Sequence, residues 1–339
     1  WLACWQRLLV DGQAQPLSVC LREASSPVPL TPCLRPPASA PLREALVCRA
    51  RIDKRWTIAS FSRLARDLSS QAVLPMALPR PADDEPPEVT QDPARELPQA
   101  AAPWHRFARG PSAGNFLHDQ LEWLAGEGFV LDAARAQRLR QRCERAGHAA
   151  QAEALVDWFT RVLAQPLTGP QAPLDALHTL LPEMEFWLPA QRLHAREIDA
   201  LCRQHLLPGV PRPQLPDAQL HGMLMGFADL VFEHQGRYWV LDYKSNHLGP
   251  DDNAYSADAL AQAMAEHRYD VQAALYLLAL HRLLRARLGA AYEPERQLGG
   301  AVYLFLRGID GPAQGCCTLP APLPLLQALD AMLDAEDAP

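Results

Sequence analysis

Two strand-like runs separated by one short turn constrain the fold of this chain more than any other feature. The runs extend from Met225 to Glu233 and from Tyr238 to Lys244, and Gln235-Gly236 lies between them. Two apolar, β-branched runs joined by two residues that include glycine are typical of a β-hairpin. We therefore predict an antiparallel pair of strands whose register places Asp229 directly opposite Asp242.

Two carboxylates and a lysine meet on one face of this predicted hairpin. Lys244 follows Asp242 by two residues and shares its face, whereas Tyr243 points to the other side. Like charges opposite each other in a ladder repel, so Asp229 and Asp242 need a cation between them. Lysine is also rare here, because Lys54 is the only other one. Its compact charge suits work beside a metal or a phosphate.

This combination of groups is what metal-assisted phosphodiester hydrolysis requires. Carboxylate oxygens are ligands that Mg²⁺ prefers, and a nearby cation can orient the attacking water. An exposed hairpin with an ordinary salt bridge between Asp242 and Lys244 would produce the same pattern. The apolar neighbours of these residues and the scarcity of lysine favour the catalytic interpretation, but the residues alone leave both interpretations open.

Helical periodicity dominates the sequence around the hairpin. Apolar residues from Phe116 to Leu124 share one helical face, and the pattern predicts further helices near 131–147, 151–164, 257–288 and 323–336. Gly300 to Arg307 is an apolar run typical of a buried strand. Helices before and after a few central strands predict an α/β layered domain that covers residues 104–339.

The N-terminal third differs in composition from this domain. Residues 1–50 show no sustained period and predict an irregular tail. Residues 51–103 contain a short β-branched stretch at Trp56–Ser60, a serine-capped helix at Ser60–Leu68, and a segment rich in proline and acid from residue 75 onwards. We expect that last segment to be an exposed linker.

Composition and motifs argue against several classes of function. The net charge of −7 disfavours a free-standing, non-specific DNA binder, so we expect a partner to deliver any nucleic acid. The eight cysteines contain no C-x-x-C pair, which predicts reduced thiols as in a cytoplasmic protein. The sequence has no apolar run long enough to span a bilayer and no Walker A motif for ATP.

Several stretches of the chain resemble the nuclease domain of the RecB-type family. They are Gly226–Phe232, Gly236–Asn246, His267–Gln272, Leu275-Tyr276 and Gly299–Gly308. The similarity extends from about residue 52 to the C-terminus, with gaps in the linker. It implies the restriction-endonuclease-like PD-(D/E)xK fold, in which helices flank a central mixed β-sheet. Residues 1–50 would then be the end of an upstream helicase region.

The resemblance also implies a set of metal ligands. His118, within Gly114–His118, matches the family's motif for a histidine that binds the metal beside Asp229 and Asp242. The backbone carbonyl of Tyr243 is implied as a further ligand, and Lys244 as the catalytic lysine.

Other polar residues are weaker candidates. Gln272 and Tyr276 match the family's Q-x-x-x-Y element and would share a helical face toward the site or the DNA, although a core tyrosine and a capping glutamine stay open. Glu183 and Glu185 fit a family segment that enters the sheet, or a plain edge strand. The arginine-rich helix 135–145 could contact phosphate, but such runs are more often solvated faces.

The resemblance predicts a Mg²⁺-dependent deoxyribonuclease of the exodeoxyribonuclease V type, which acts in recombinational repair of double-strand breaks and degrades foreign DNA in the bacterial cytoplasm. The implied partners are single-stranded DNA from unwinding and RecC-like and RecD-like subunits, with ATP used only by the upstream helicase region. Two alternatives stay open: an inactive nuclease fold that serves as a scaffold in a helicase complex, and a stand-alone phage-type nuclease.

Overall fold

A computed structural model of the protein describes residues 56–60 and 102–334, all of which belong to one compact unit, Asp53–Pro339. The predicted tail at 1–50, the helix at Ser60–Leu68 and nearly all of the linker lie outside the described residues, so these stay predictions. Pro103, which we assigned to the linker, instead begins a helix. In the described part of the chain, no helix is both long and apolar enough to cross a membrane.

Six strands of the described residues form one mixed sheet. They are β1 (Thr57–Ala59), β2 (Thr179–His194), β3 (Gln219–His234), β4 (Arg237–Lys244), β5 (Leu298–Phe305) and β6 (Cys316–Leu319). Strand β3 pairs antiparallel with β2 on one edge, and on its other edge it pairs first with β1 in parallel and then with β4 antiparallel. Strand β5 follows β4 in parallel, and β6 is antiparallel to β5. The expected mixed sheet is therefore confirmed.

The hairpin between β3 and β4 has the predicted register. Leu230 faces Leu241, and the pairing continues to the turn at His234 and Arg237. Gln235 and Gly236 both have positive φ, 51° and 76°, as a type I′ turn requires. The strands begin earlier than the sequence suggested, most of all β3, because its N-terminal half is held between β1 and β2.

Nine helices flank the sheet within the described residues. They are α1 (Pro103–Arg106), α2 (Pro111–Gly126), α3 (Ala133–Arg145), α4 (Ala152–Ala164), α5 (Ala195–His205), α6 (Ala257–Glu266), α7 (Tyr269–Leu288), α8 (Pro294–Gln297) and α9 (Leu323–Asp334). The helices predicted near 131–147 and 151–164 are confirmed as α3 and α4.

The single long helix predicted over 257–288 is wrong, because the chain breaks it at Arg268. This residue has φ of 58°, in the left-handed region, and separates α6 from α7. Its buried guanidinium lies 2.6 Å from Asp199 and 3.1 Å from Asp270. These ion pairs hold a backbone conformation that a non-glycine residue rarely adopts. Hydrophobic periodicity continues across the break, so the sequence pattern gave no sign of it.

The helices form two layers, with a hydrophobic core on each face of the sheet. One core contains apolar residues of α1 to α4, and the other contains those of α5, α6, α7 and α9. Side chains of strand β5 point alternately into the two cores. Val302 and Leu304 enter the first core, and Ala301, Tyr303 and Phe305 enter the second. The predicted α/β layered architecture is confirmed.

Candidate active site

The site lies where β4 separates from β3. The ladder between them ends at Leu230 and Leu241, one pair before Asp229 and Asp242. In place of a ladder bond, the backbone N–H of Tyr243 donates to Asp229 Oδ2 across 2.7 Å. Both aspartates are buried, with 7% and 3% of their surface exposed. The predicted pairing of two carboxylates therefore lies inside the protein, at a split in the sheet.

Lys244 lies beside Asp242 in the same buried region. Its Nζ is 2.7 Å from Asp242 Oδ2, and the residue is 2% exposed. The ammonium also lies over the ring of Tyr269, 4.1 Å from the ring centroid. The salt bridge of the alternative interpretation is present, but the hairpin end that carries it is buried. Burying two charges costs free energy of solvation, so this pair differs from an ordinary salt bridge at the surface.

His118 is brought to the hairpin by helix α2. This helix begins at Pro111 after Gly110 and buries Leu117 and Leu121 completely, which directs His118 toward the sheet. His118 Nδ1 lies 3.3 Å from Asp229 Oδ2. The imidazole also meets the ring of Tyr243 edge-on, with the centroids 6.0 Å apart. The residue implied by the family motif thus adjoins one of the two aspartates.

Glu183 is a further carboxylate of this site. In the β2–β3 register, its neighbours Pro182 and Met184 pair with Leu230 and Ala228, so Glu183 lies opposite Asp229. Its φ of 49° is in the left-handed region, which is strained for a residue other than glycine. Its Oε2 is buried and has no hydrogen-bond partner among the described residues.

Burial raises the pKa of Glu183 to about 8, and the negative charges of Asp229 and Glu122 act in the same direction. An edge-strand glutamate in open solvent would show none of these properties. Glu185, by contrast, is exposed and accepts a hydrogen bond of 2.9 Å from Trp187 Nε1. Of the two acids that the sequence left undecided, the structure brings Glu183 to the site and turns Glu185 away from it.

The two aspartates differ in their electrostatic environment. Burial raises the pKa of Asp242 despite the opposing charge of Lys244, and the charge of Asp229 raises it further. Burial also disfavours ionisation of Asp229. The charge and hydrogen bond of His118, the charge of Lys244 and the Tyr243 N–H nevertheless hold the pKa of Asp229 below its usual range. The site thus carries more carboxylates than its own cations neutralise.

This donor set fits a hard divalent cation. Three carboxylates and one imidazole lie around the split, and oxygen-rich sets of this kind suit Mg²⁺, Ca²⁺ or Mn²⁺. In the described residues, no three histidine, cysteine or acidic side chains are gathered closely enough to enclose an ion. Instead His118 approaches Asp229, and Lys244 approaches Asp242. The buried, unpaired Oε2 of Glu183 and the excess of negative charge both indicate a place for a cation.

Gln272 and Tyr276 lie on helix α7 behind Lys244. Both are buried, and Gln272 Nε2 donates to Tyr276 Oη over 2.9 Å. The hydroxyl of Tyr303 donates to Gln272 Oε1 over 3.2 Å. Tyr303 in turn has its ring 5.7 Å from the Lys244 ammonium. The Q-x-x-x-Y residues therefore connect to the lysine through Tyr303.

The arginines of helix α3 pair mainly with groups of the protein itself. Arg135 contacts Glu127 and Asp132, with nitrogen to oxygen distances of 2.9 and 2.6 Å. Arg140 lies 2.6 Å from Glu153. These contacts agree with a solvated, self-neutralised face rather than a phosphate-binding surface.

Comparisons with known proteins show which proteins this chain is similar to. The model of the PD-(D/E)XK nuclease superfamily matches residues 94–327. The chain is 44% identical to the RecBCD enzyme subunit RecB of Escherichia coli K12 over 234 residues, which are 67% of this chain and 19% of that protein.

Two further RecB subunits show similar relationships. That of Mycobacterium tuberculosis H37Rv is 30% identical over 341 residues, covering 89% of this chain and 31% of the relative. That of Haemophilus influenzae is 34% identical over 215 residues, covering 61% and 17%. The chain therefore spans less than a third of the length of these relatives.

Proposed function

Because the chain belongs to the PD-(D/E)XK nuclease superfamily, we propose that the split between β3 and β4 hydrolyses phosphodiester bonds of DNA with Mg²⁺, as a RecBCD-type nuclease domain. Nucleases of this superfamily depend on divalent metal ions. The observation that carries the proposal is the set of Asp229, Asp242 and Lys244, all buried at one point where the two strands part.

The residues that would hold Mg²⁺ are Asp229, Asp242 and His118, with the carbonyl of Tyr243 as a further ligand. We add Glu183, because its buried carboxylate oxygen faces Asp229 across the β2–β3 pair without a hydrogen-bond partner among the described residues. A bound divalent ion would supply positive charge to the phosphate and lower the pKa of a bound water. Carboxylates in such excess are suited to attract it.

Lys244 would position the attacking water and stabilise negative charge on the phosphate. Its ammonium is fixed beside Asp242, at a distance of 2.7 Å, and is excluded from bulk solvent. Electrostatic stabilisation is stronger in such a buried site than in water. The products of this chemistry would be a 3′-hydroxyl and a 5′-phosphate.

The proposed substrate is single-stranded DNA that a helicase has unwound. The net charge of −7 favours delivery by other subunits over independent capture of DNA. The relatives are named as subunits of the RecBCD enzyme. We therefore propose that this chain works with RecC-like and RecD-like subunits in the bacterial cytoplasm, in double-strand-break repair and the degradation of foreign DNA, with ATP used outside residues 1–339.

An inactive scaffold is the main alternative, and the burial of the carboxylates argues against it. Gathering these carboxylates in one place disfavours the ionisation of Glu183 and Asp242, which a bound cation would relieve. A scaffold gains nothing from that arrangement. A stand-alone phage-type nuclease would keep the same chemistry and differ only in its partners.

Replacement of Asp242 tests the activity directly. We expect Asp242→Ala to abolish Mg²⁺-dependent degradation of labelled single-stranded DNA while the circular dichroism spectrum stays that of the wild type. Asp217→Ala is the matched control, because Asp217 is 65% exposed and contacts Arg196 at the surface. Undiminished cleavage by Asp242→Ala would refute the assignment. Calorimetric titration with Mg²⁺ separates the scaffold, which would bind no ion, from the nuclease.

A further inference from the structure

Two stacked tyrosines surround the ammonium group of Lys244. Its Nζ lies 4.1 Å from the centroid of the Tyr269 ring and 5.7 Å from that of Tyr303. The two rings are nearly parallel, with centroids 5.9 Å apart and an angle of 16° between their planes. Both tyrosines are completely buried. The lysine therefore has a carboxylate and aromatic ring faces close to it, in a region from which water is largely excluded.

The Tyr269 ring is itself held from several directions. Its hydroxyl donates to Asn246 Oδ1 over 3.3 Å, two residues beyond Lys244 in sequence. The Tyr303 hydroxyl, which donates to Gln272 Oε1, also has its oxygen 3.2 Å from the backbone carbonyl oxygen of Tyr269. The imidazole of His267 also stacks against the ring, with centroids 5.3 Å apart. These contacts fix the orientation of the ring face that the ammonium meets.

The start of helix α7 determines where Tyr269 lies. Tyr269 is the first residue of this helix, and it follows the left-handed Arg268. Arg268 is anchored by Asp199 and by Asp270, which also lies 2.6 Å from Arg212. A buried network of ion pairs thus sets the point at which α7 begins, and with it the position of the ring.

A lysine side chain has several rotatable bonds, so one carboxylate contact fixes how far the ammonium lies from Asp242 but not its direction. An aromatic face attracts a cation along the ring normal, and this attraction is strongest where water is excluded. The face of Tyr269 supplies a second contact, and this contact has a direction. An arginine in the same place would stack its flat guanidinium on the ring, and its charge would be spread over that plane instead of concentrated at one atom.

We propose that Tyr269 is a positioning residue for Lys244: its ring face, stacked on Tyr303, holds the ammonium in the orientation needed beside the scissile phosphate. The consequence for catalysis depends on the proposed nuclease function. The placement of the lysine does not depend on it, because these contacts are made between residues of this chain alone. Structure and catalysis can therefore be tested separately.

Nuclear magnetic resonance can observe this lysine individually, because the chain contains only Lys54 and Lys244. Protons held over the face of an aromatic ring are shielded. In the metal-free chain labelled with [13C]lysine, we expect one set of side-chain methylene signals at ordinary positions and one set shifted upfield. The Lys54→Arg variant should lose the ordinary set and keep the shifted set, which assigns the latter to Lys244.

Two substitutions of Tyr269 distinguish the ring face from the hydroxyl. Tyr269→Phe keeps the face and loses the hydroxyl with its bond to Asn246, so we expect the shifted signals to persist and kcat to stay within about twofold of the wild type. Tyr269→Leu removes the face. It should return the Lys244 signals toward ordinary positions and lower kcat by between about 5-fold and 30-fold, with KM for single-stranded DNA unchanged.

Three results would overturn the positioning role of Tyr269. Ordinary positions for the Lys244 signals in the wild type would overturn the proposal, even if Tyr269→Leu does not fold. So would a folded Tyr269→Leu variant with full kcat, or a Tyr269→Phe variant as impaired as Tyr269→Leu. A shifted Lys244 signal in a chain that cleaves no DNA would leave the placement intact and refute the nuclease function instead.

Discussion

Asp229 accepts a hydrogen bond from the backbone N–H of Tyr243, on the neighbouring strand, over 2.7 Å. This bond occupies one oxygen of the carboxylate at the point where the β3–β4 ladder ends. Together with the charges of His118 and Lys244, it outweighs burial and keeps the pKa of Asp229 low. Asp229 is therefore ionised at neutral pH, whereas burial raises the pKa of each of its carboxylate neighbours, Glu183 and Asp242.

Asp229→Asn should remove metal binding without loosening the hairpin. The asparagine oxygen can still accept from Tyr243 N–H, but the negative charge is lost. We expect Mg²⁺-dependent cleavage of single-stranded DNA to fall by at least about 100-fold, since metal charge contributes several kcal/mol to such reactions. The melting temperature without metal should fall modestly, because the lowered pKa of Asp229 means that the fold stabilises its charged form. A variant with normal Mg²⁺ affinity by calorimetry would contradict this role of Asp229.

The raised pKa of Glu183 predicts a pH-dependent stability. A carboxyl group whose pKa is higher in the folded state than in the unfolded state stabilises the fold while it is protonated, and this contribution is lost as the pH rises through the folded value. For Glu183 the ordinary pKa is 4.5 and the folded value is about 8. Asp242 is shifted in the same direction.

We therefore expect the stability of the metal-free chain, relative to that of Glu183→Gln, to fall by on the order of 2 kcal/mol as the pH rises from about 5 to about 8. Urea unfolding at a series of pH values measures this difference. Glu185→Gln is the matched control, because Glu185 lies two residues away and is exposed. Equal pH profiles for wild type and Glu183→Gln would show that Glu183 ionises normally. Mg²⁺ should flatten the wild-type profile, since the ion favours the charged carboxylates.

His118→Ala should weaken the binding of Mg²⁺ more than it weakens the fold. The imidazole lies 3.3 Å from Asp229 and packs edge-on against Tyr243. Its loss removes a proposed ligand and a group that lowers the pKa of Asp229. We expect about 10-fold to 100-fold weaker Mg²⁺ binding by calorimetry. His205→Ala, a change at the C-terminal end of helix α5, is the control. Unchanged affinity in His118→Ala would exclude His118 as a ligand.

The hairpin was predictable from sequence because local rules determine it. Gln235-Gly236 selects a two-residue turn, and the turn fixes which residues face each other, so the positions of Asp229, Asp242 and Lys244 follow from counting. Resemblance to a family supplied His118, which is more than a hundred residues away and carries no local signal of its role. Hydrophobic periodicity describes local structure and does not show which distant segments of the chain come together.

The alternation of side chains along β2 could not distinguish Glu183 from Glu185. Strand alternation places both residues on the same face, yet the positive φ of Glu183 departs from a regular strand and buries one of its carboxylate oxygens. Proline cannot donate to a ladder, which agrees with the place of Pro182 and Pro189 in β2, a strand that pairs only with β3 among the described strands. The break at Arg268 was missed for a similar reason, because the ion pairs that hold it come from distant residues.

Arg307 connects the end of β4 to the segment around helix α1. The side chain is buried, and it donates to four backbone carbonyls, those of Ser245, Trp104, Phe107 and Ala108. Ser245 directly follows Lys244, so this guanidinium fixes the chain just beyond the site. Its five donors in a rigid plane match several acceptors at once, which a single ammonium cannot do.

Arg307→Lys should therefore be far from conservative. The shorter reach of the donors leaves some of the buried carbonyls without partners, and each such loss costs about 1 to 3 kcal/mol. We expect the free energy of unfolding to fall by roughly 2 to 4 kcal/mol in urea titrations. Arg296→Lys is the control, because Arg296 is 79% exposed and pairs only weakly with Glu293 at the surface, so its change should stay within about 0.5 kcal/mol. If the two variants lose equal stability, the buried carbonyl contacts of Arg307 do not hold this end of β4 in place.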